Sequence, residues 1–546
     1  MINFAPSIIE AVNPLQNKNN TVEQFHISTL DLIVIGGYLI FIIWWGLKNG
    51  KSDDSQSYFL AGRSMPWWIV GLSLFAASIS STTLIGQSGD AYHTGLAVFN
   101  YNLTGIVVMV FFAVCILPLY LKSKIFTIPE FLEKRFDRRS RYYFSAICII
   151  GNVFLDAAGA LYAAALIIKL IMPEADLQTI IIIFAIIAAS YTIPGGLSSA
   201  INAEIIQAAI LIVGSVALTV LCFMQGGDYF AALFAGDDLS LKLIRPLCDN
   251  ATPWLGLIVG MPITGLYFWA NNQTLVQRVL SAKSIDEGRK GVIFTGFLTM
   301  LTLVIIAIPG VIARDLFPGL EKPDMVYPNM VLNLMPIGLL GVMLAALLSA
   351  LTSTLSAILN STSTLFTIDF YAQANKKASS KKLVVVGKIA SCVIIVIAAL
   401  WAPYIGHFGS LLKYYQEMLS YIAPPIVGAF LLGIFTRRTN ANGAFTGMMV
   451  GFAVAIFMLF FKNAIFGDMH FLYIVPVLFV LSLIVMWAVS LCGARPEAVK
   501  LENTTFHIAD LKAEVTRACQ GNWLSSYLFW ALVLLVLSAV VWIVFS

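Results

Sequence analysis

The chain has 546 residues, of which 59% are hydrophobic and 11% charged, and its mean hydropathy is +0.86. This composition excludes a soluble globular protein and is typical of a helical membrane protein with many spans. The chain has neither a GxxxxGK[ST] loop nor a GxGxxG turn after a strand, which argues against ATP-driven transport. We therefore expect a protein that is not an enzyme, that is surrounded by the lipid bilayer and that has no nucleic-acid partner.

Apolar runs of about 20 residues, the length that crosses the hydrocarbon core of a bilayer, predict 14 transmembrane helices. In chain order they cover residues 29–47, 67–90, 97–121, 143–170, 178–194, 199–224, 253–279, 291–313, 329–372, 383–402, 411–435, 441–461, 470–492 and 523–545. The run at 329–372 is longer than one crossing requires. Because lipid cannot satisfy backbone polar groups and the alternating pattern of a barrel is absent, the predicted fold class is an all-α polytopic membrane protein.

Lys and Arg residues are distributed unevenly between the predicted loops. If the N-terminus is outside, 24 of the 33 Lys and Arg residues lie in inward loops, eight in outward loops, and Lys388 near a span end. Positive residues accumulate on the cytoplasmic side of a membrane protein. The sequence therefore predicts a multi-pass protein of the cell inner (plasma) membrane with both termini outside.

Two predicted spans carry stripes of hydroxyl groups. The first, GLSLFAASISSTTLIGQSG, runs from Gly71 to Gly89, and the second, SALTSTLSAILNSTST, covers residues 349–364. In the second stripe Ser353, Ser356 and Asn360 share one face at helical spacing. One such stripe alone indicates close helix packing, which small hydroxylated residues favour.

Two stripes far apart in the sequence favour an ion site. A small hard cation needs about five oxygens, best supplied by hydroxyls and by carbonyls freed where a helix unwinds. The AASIS segment has the low bulk and weak helix propensity that such a break requires. Neither stripe contains the carboxylates that Ca²⁺ or Mg²⁺ would want, and hydroxyls do not titrate. The pattern therefore predicts Na⁺.

Six segments carry specific motifs in a recognisable order. They are YFLAGRSMPWW (58–68), IFTIPEFLEKRF (125–136), IPGGLSSAINAEIIQ (193–207), QRVLSAKS (277–284), LNSTSTLFTIDFY (359–371) and YYQEMLSYIAPPIVGAFLLGIF (414–435). With these motifs the chain resembles the sodium/solute symporter family, on the branch of the sodium–glucose cotransporters, over about residues 29–470.

The resemblance implies 14 helices, ten of them in an inverted repeat of five plus five, with discontinuous first and sixth core helices and alternating access. It implies the following division of the chain: an extracellular or periplasmic tail at 1–28, an extra N-terminal helix at 29–47, the transport core at 67–435, peripheral helices at 436–492, a cytoplasmic linker at 493–521 and a C-terminal helix at 522–546. The first polar stripe then lies on the broken first core helix.

The resemblance also implies the ligands of the coupling ion, Na⁺. They are the backbone carbonyls of Ala76, Ile79 and Ala350 and the side-chain hydroxyls of Ser353 and Thr354. Some family members bind a second Na⁺ with an aspartate and a hydroxyl pair, where this chain has Glu204 and Ser356–Ala357. Because one hydroxyl is missing and the acid is a methylene longer, we expect one Na⁺ per transport cycle.

The implied solute pocket hydrogen-bonds hydroxyl groups and covers a ring with an aromatic side chain. The matching positions are Thr83, Asn102, Gly265, Phe268, Trp269, Thr299 and Gln416. Sugar-transporting members have a glutamate at the position of Asn102 and a lysine at that of Thr299. The loss of both charges changes which hydroxyl patterns can be satisfied, since an unpaired buried group costs about 1–3 kcal/mol. A plain glucose or galactose carrier is therefore not expected.

Asp156 is unusual because it lies in the middle of a predicted span, in GNVFLDAAGALY. One interpretation is a buried carboxyl that hydrogen-bonds a neighbouring helix. The other, which we favour, is a contact to the solute or a gate that partly replaces the lost charge. Gln87 is predicted to line the outer end of the same cavity and Ser78 its inner end.

The sequence thus predicts a sodium-coupled secondary active symporter that imports a small sugar or sugar-like solute. The alternatives left open are an acidic or amino sugar, an inositol-type polyol, or a monocarboxylate. A transporter-derived sensor or a passive channel is the rival class. A sensor would need a signalling domain longer than the segment 493–521, and a channel would need a continuous polar pore, whereas the polar residues cluster at mid-depth.

Overall fold

The structure, a computed structural model, describes residues 27–49, 55–79, 82–172, 174–226, 239–247, 249, 252–320, 322–408, 411–467, 469–520 and 523–546. The predicted N-terminal tail lies outside the described residues except for Ile27 and Ser28. Ser80 and Ser81, in the middle of the first polar stripe, lie outside them as well.

The described part of the chain folds into helices and contains no β-strand. The helices that build the bundle and the site are α1 (Thr29–Asn49), α2 (Trp67–Ser78), α3 (Thr83–Thr94), α4 (Leu96–Lys122), α5 (Arg138–Lys169), α6 (Leu177–Gln225), α7 (Met261–Leu266), α8 (Gln273–Leu280), α9 (Ile285–Leu316), α10 (Leu339–Ala374), α11 (Ser380–Ile405), α12 (Leu412–Phe435), α13 (Ala441–Phe466), α14 (Phe471–Cys492) and α15 (Tyr527–Val544). Eleven of the described helices are long and apolar enough to cross a membrane, or twelve when the bent pair α2–α3 counts as one crossing. The chain is a multi-pass helical membrane protein.

The chain bends by 62° between α2 and α3. Helix α2 ends at Ser78, and Ile79 leaves the helical conformation with φ −83° and ψ 86°. The last carbonyls of a helix have no donor within that helix. The bend agrees with the predicted break and frees backbone carbonyls where the first polar stripe begins.

A second discontinuity lies in the predicted span 253–279. The helical stretch that contains α7 continues to Asn271 and stops at Asn272, whose backbone is extended with φ −71° and ψ 117°. The Asn272 side chain then caps α8, because its Oδ1 accepts a hydrogen bond of 2.8 Å from the backbone N–H of Thr274. An asparagine at this position favours a cap over a continuous helix.

Helix α6 contains two of the predicted spans. Its 49 residues would extend to about 74 Å at 1.5 Å per residue, more than twice the hydrocarbon thickness of a bilayer. Pro194 lies inside it, and Gly196 has φ 63° and ψ −157°, so the helix is kinked there. The predicted spans 178–194 and 199–224 therefore lie on the two sides of this kink.

Replacing Gly196 with alanine is expected to destabilise the protein by about 1–3 kcal/mol, because a side chain in this left-handed region is strained. A Cβ atom there would also lie 2.6 Å from Cδ2 of Tyr58. Thermal unfolding in detergent measures the effect. Gly37→Ala is the matched control, since Gly37 is helical with nothing within 4 Å of its added Cβ. Equal unfolding temperatures for the two variants would contradict the assigned strain.

The long predicted run at 329–372 is divided in the structure. A short helix, Val326–Leu334, precedes α10, and Gly338 between them has φ 87°. Helix α10 lies at the centre of the bundle. In its most apolar stretch of 18 residues 94% of the residues are buried, compared with 17% in α1 and 22% in α15. The second polar stripe therefore lies in the interior, whereas α1 and α15 face lipid.

A buried ion pair joins the beginning of α5 to the end of α10. Arg141 donates from Nε and Nη2 to Oδ1 of Asp369, over 2.9 and 2.6 Å. Thr127, which caps the short helix Ile128–Arg135, and Ser145 donate to the same carboxylate over 2.7 and 2.5 Å. The motif segments IFTIPEFLEKRF and LNSTSTLFTIDFY therefore meet in space.

Candidate functional site

A cavity lies beside the break between α2 and α3, with walls from α4, α5, α7, α9, α10 and α12. The volume that the centre of a water molecule can occupy inside the cavity is about 120 Å³. A single water needs about 10–15 Å³ on this measure, so the cavity has room for a small organic solute. The structure places all eight predicted solute residues in its lining: Thr83, Gln87, Asn102, Asp156, Phe268, Trp269, Thr299 and Gln416.

One wall of the cavity is a network of neutral polar side chains. Asn102 and Gln87 exchange two hydrogen bonds, of 3.0 and 3.2 Å. Asn102 also donates to Thr302 over 2.9 Å, and Thr302 donates to the carbonyl of Thr299 over 2.6 Å. Amide groups that both donate and accept suit the hydroxyl groups of a polyol.

An aromatic pair covers another side of the cavity. The rings of Phe268 and Trp269 pack edge to face, with centroids 5.1 Å apart and an interplanar angle of 89°. Trp269 lies close to α4 because residue 105 is a glycine, whose Cβ would be only 2.7 Å from the indole Nε1. A flat aromatic surface beside hydrogen-bonding groups is the arrangement that a sugar-like ring contacts best.

Asp156 lies in the cavity lining on an irregular turn of α5. Residues Asn152–Ala157 form a π-helical turn, a local distortion that is frequent at functional sites. The side chain is half-buried, and the Tyr415 hydroxyl is near enough to interact with it. Tyr415 is itself a lining residue on α12, and the sequence did not single it out.

The predicted ion ligands lie next to the cavity. Ala76 is in the last turn of α2, Ile79 follows its end, and both are buried. On α10, which packs against α2, the Oγ of Ser353 is buried without a hydrogen-bond partner among the described residues. Thr354 donates to the carbonyl of Ala350 over 3.0 Å. Neutral carbonyl and hydroxyl oxygens are the donors that a hard monovalent cation uses, and the unpartnered Ser353 hydroxyl fits such an ion.

The positions that match the second Na⁺ site of some family members, at which no ion is expected here, make contacts within the protein. Glu204 is fully buried and pairs with Arg278, whose Nη2 lies 2.6 Å from its Oε1. Ser73 donates a short hydrogen bond to the other carboxylate oxygen. Ser356 accepts a hydrogen bond of 2.8 Å from Thr192. The guanidinium of Arg278 therefore neutralises the carboxylate of Glu204. Arg278 belongs to the motif QRVLSAKS, but the sequence does not indicate its partner.

A bent helix beside a polar cavity, with neutral oxygens at the bend, defines a helical membrane transporter of the kind that uses broken helices. The model of the "Sodium:solute symporter family" matches residues 58–451. The chain belongs to this family, and the resemblance inferred from the sequence motifs is confirmed.

Several curated relatives are similar over most of their length. The chain is 32% identical to "Sodium/glucose cotransporter 1" of Ovis aries, over 94% of this chain and 85% of the relative. It is 30% identical to "Sodium/glucose cotransporter 4" of Danio rerio, over 93% and 86%. It is 32% identical to the "Sodium/myo-inositol cotransporter" of Bos taurus, over 88% and 76%.

Solved structures support the fold. A Na⁺-coupled sialic acid symporter in a substrate-bound outward-open state superposes with a TM-score of 0.76 at 24% identity, over 86% of this chain and 99% of that one. Mhp1, a nucleobase-cation-symport-1 family transporter, superposes with a TM-score of 0.52 at 16% identity, over 83% and 98%. At these identities the similarity concerns the fold alone.

Proposed function

We propose that the protein is a secondary active symporter that imports a small sugar-like solute together with Na⁺. This proposal depends most on the contact between the two sites. Ile79 and Thr354 belong to the predicted ion ligands and also line the solute cavity. An ion bound there orders the end of α2 and the facing turn of α10. The same two segments then complete the solute site, so that ion and solute favour one conformation together.

The ion set is Ala76, Ile79, Ala350, Ser353 and Thr354, with one Na⁺ per cycle. The unpartnered hydroxyl of Ser353 supports this set. The ion pair between Glu204 and Arg278 supports the single ion, since the carboxylate already has a cation. The names of the curated relatives, which are sodium cotransporters for glucose or myo-inositol, agree with Na⁺ coupling and a polyhydroxylated solute.

The proposed topology has 14 crossings, with the core of ten helices in an inverted repeat and both termini outside the plasma membrane. It is supported by the kink of α6 at Gly196, which makes two crossings of one helix, and by the interrupted segment 254–280, which makes another. The Lys and Arg bias toward inward loops supports the orientation.

Transport then proceeds by alternating access. External Na⁺ stabilises the outward-open state and the solute enters beside Phe268 and Trp269. The outer gate closes, the bundle rocks inward, and loss of Na⁺ to the low-sodium cytoplasm releases the solute. The coupling requires that Na⁺ bind one conformation more tightly, because an ion with equal affinity for both shifts no population.

A thermal-shift screen of the purified protein against sugars, aminosugars, uronates and polyols tests the proposal. A substrate that binds the folded state stabilises it, and the gain grows with the logarithm of its free concentration above Kd. We expect at least one solute to raise the unfolding temperature in NaCl and to have little effect in KCl. A solute that stabilises equally in both salts would contradict Na⁺ coupling.

Asn102→Ala is expected to raise the apparent KM for the solute about tenfold. The change removes a cavity-facing amide and leaves its partner Gln87 unpaired, which costs about 1–3 kcal/mol. The concentration dependence of uptake measures it. Asn152→Ala is the control, because Asn152 is a buried amide of α5 that bonds Ser361 and Thr362 outside the cavity lining. An unchanged KM in the Asn102 variant would remove that residue from the solute site.

A further inference from the structure

Asp156 gives the cavity a carboxyl group, whereas the other polar groups of its walls are neutral amides and hydroxyls. We propose that this carboxylate is the subsite for a protonated amine on the solute, so that the cavity takes an amino sugar or amino polyol in preference to the neutral or carboxylated counterpart. The inference rests on the proposed function and specifies the substrate class of that same cavity.

The first support is the charge inventory of the cavity. Among the described lining residues Asp156 is the only charged side chain, and none is Lys, Arg or His. The remaining polar groups are neutral amides and hydroxyls, such as Gln87, Asn102 and Gln416. A carboxylated solute would meet a like charge with no cationic side chain in the described lining to offset it, whereas an ammonium group would meet an opposite charge in a poorly solvated site.

The second support is that Asp156 has free acceptor capacity. An ionised carboxylate offers about four acceptor positions. Among the described residues the Tyr415 hydroxyl is the one side-chain group placed to donate to it. Glu204 and Asp369, by contrast, are fully buried and each paired with an arginine. An ammonium group, which donates three hydrogen bonds, can bind the acceptor positions of the Asp156 carboxylate that Tyr415 does not use.

The third support is the arrangement of the other walls. Hydroxyl groups of the solute have partners in the Gln87–Asn102–Thr302 network, and its ring has the aromatic pair of Phe268 and Trp269. Neither of these surfaces carries a charge. The helix α5 therefore supplies the charge recognition, while α3, α4 and α9 supply hydroxyl recognition, a division that a ring with one amine and several hydroxyls matches.

The test uses matched hexoses, their 2-amino derivatives and their uronates, in the gluco and galacto series. Na⁺-driven uptake into proteoliposomes is measured below the pKa of the sugar amine. We expect an apparent KM for the amino sugar at least tenfold lower than for the hexose, and no saturable uptake of the uronate. If a hexose or uronate is taken up as well as the amino sugar or better, the inference is wrong and the symport stands. If no compound shows Na⁺-driven uptake, the proposed function itself fails.

Two variants assign the effect to the carboxylate. Asp156→Asn keeps the size of the side chain and should abolish the preference for the amino sugar over the hexose. Tyr415→Phe removes the neighbouring hydroxyl but keeps the carboxylate, and should preserve that preference. An amino-sugar preference that survives in Asp156→Asn would overturn the assignment. Should either variant fail to fold, the order of the three solutes in the unmodified protein still decides the question.

Discussion

Replacing Ser353 and Thr354 together with alanine is expected to abolish Na⁺-driven uptake while the protein remains folded. The change removes two of the five proposed ion ligands. At about 1.5–3 kcal/mol for each lost contact to a charged group, Na⁺ binding weakens by more than about 100-fold. The coupling free energy disappears with it, because the ion then has no preferred conformation to stabilise. Uptake into proteoliposomes under an inward Na⁺ gradient measures the effect.

The matched control for this variant is Ser363→Ala on the same helix. Ser363 is a buried hydroxyl that donates to the carbonyl of Asn360, one turn earlier in α10. Its loss should leave Na⁺-driven uptake within about twofold of the unmodified protein, because a hydrogen bond from a hydroxyl to its own helix is worth little. Undiminished uptake in the double variant would show that the ion binds elsewhere.

Breaking the buried pair of Glu204 and Arg278 is expected to destabilise the protein strongly. Both side chains are fully buried, and Arg278→Met leaves an uncompensated carboxylate at membrane depth. Such a loss of one partner costs about 3–5 kcal/mol. Thermal unfolding in detergent should show a lower transition temperature, and less folded protein should be recovered from membranes.

The double variant Glu204→Gln with Arg278→Met shows whether the destabilisation comes from the unpaired carboxylate or from the loss of side-chain packing. Replacing both charges removes the unpaired ion, so most of the lost stability should return. If the double variant unfolds at the same temperature as Arg278→Met alone, the pair does not act through charge compensation. The comparison also bears on stoichiometry, because a carboxamide at position 204 could no longer serve as an anionic ion ligand.

Much of the fold could be predicted because apolar length determines where helices cross a membrane. The break at Ile79 agrees with the discontinuity predicted in the first polar stripe, and the gap between the predicted spans 178–194 and 199–224 coincides with the kink at Gly196. The sequence did not divide α10 from the short helix Val326–Leu334. There the apolar run continues across the junction, and the turn depends on the single backbone conformation of Gly338.

The site could be predicted in part because its residues occupy positions that match family motifs. Positions matched to family motifs, such as Asn102 and Gln416, line one cavity in the structure. Pairings between distant helices carry no local signal, so the contacts of Glu204 with Arg278 and of Asp156 with Tyr415 required the structure. The ligand roles of the predicted ion residues remain predictions.

Solute uptake by the purified protein in proteoliposomes, with either a Na⁺ gradient or an equal K⁺ gradient as the driving force, shows directly whether the protein is a sodium-coupled symporter. We expect a sugar-like solute to accumulate above its external concentration with Na⁺ and only to equilibrate with K⁺. Accumulation of the same size with both ions, or equilibration with both, would contradict a sodium-coupled symporter.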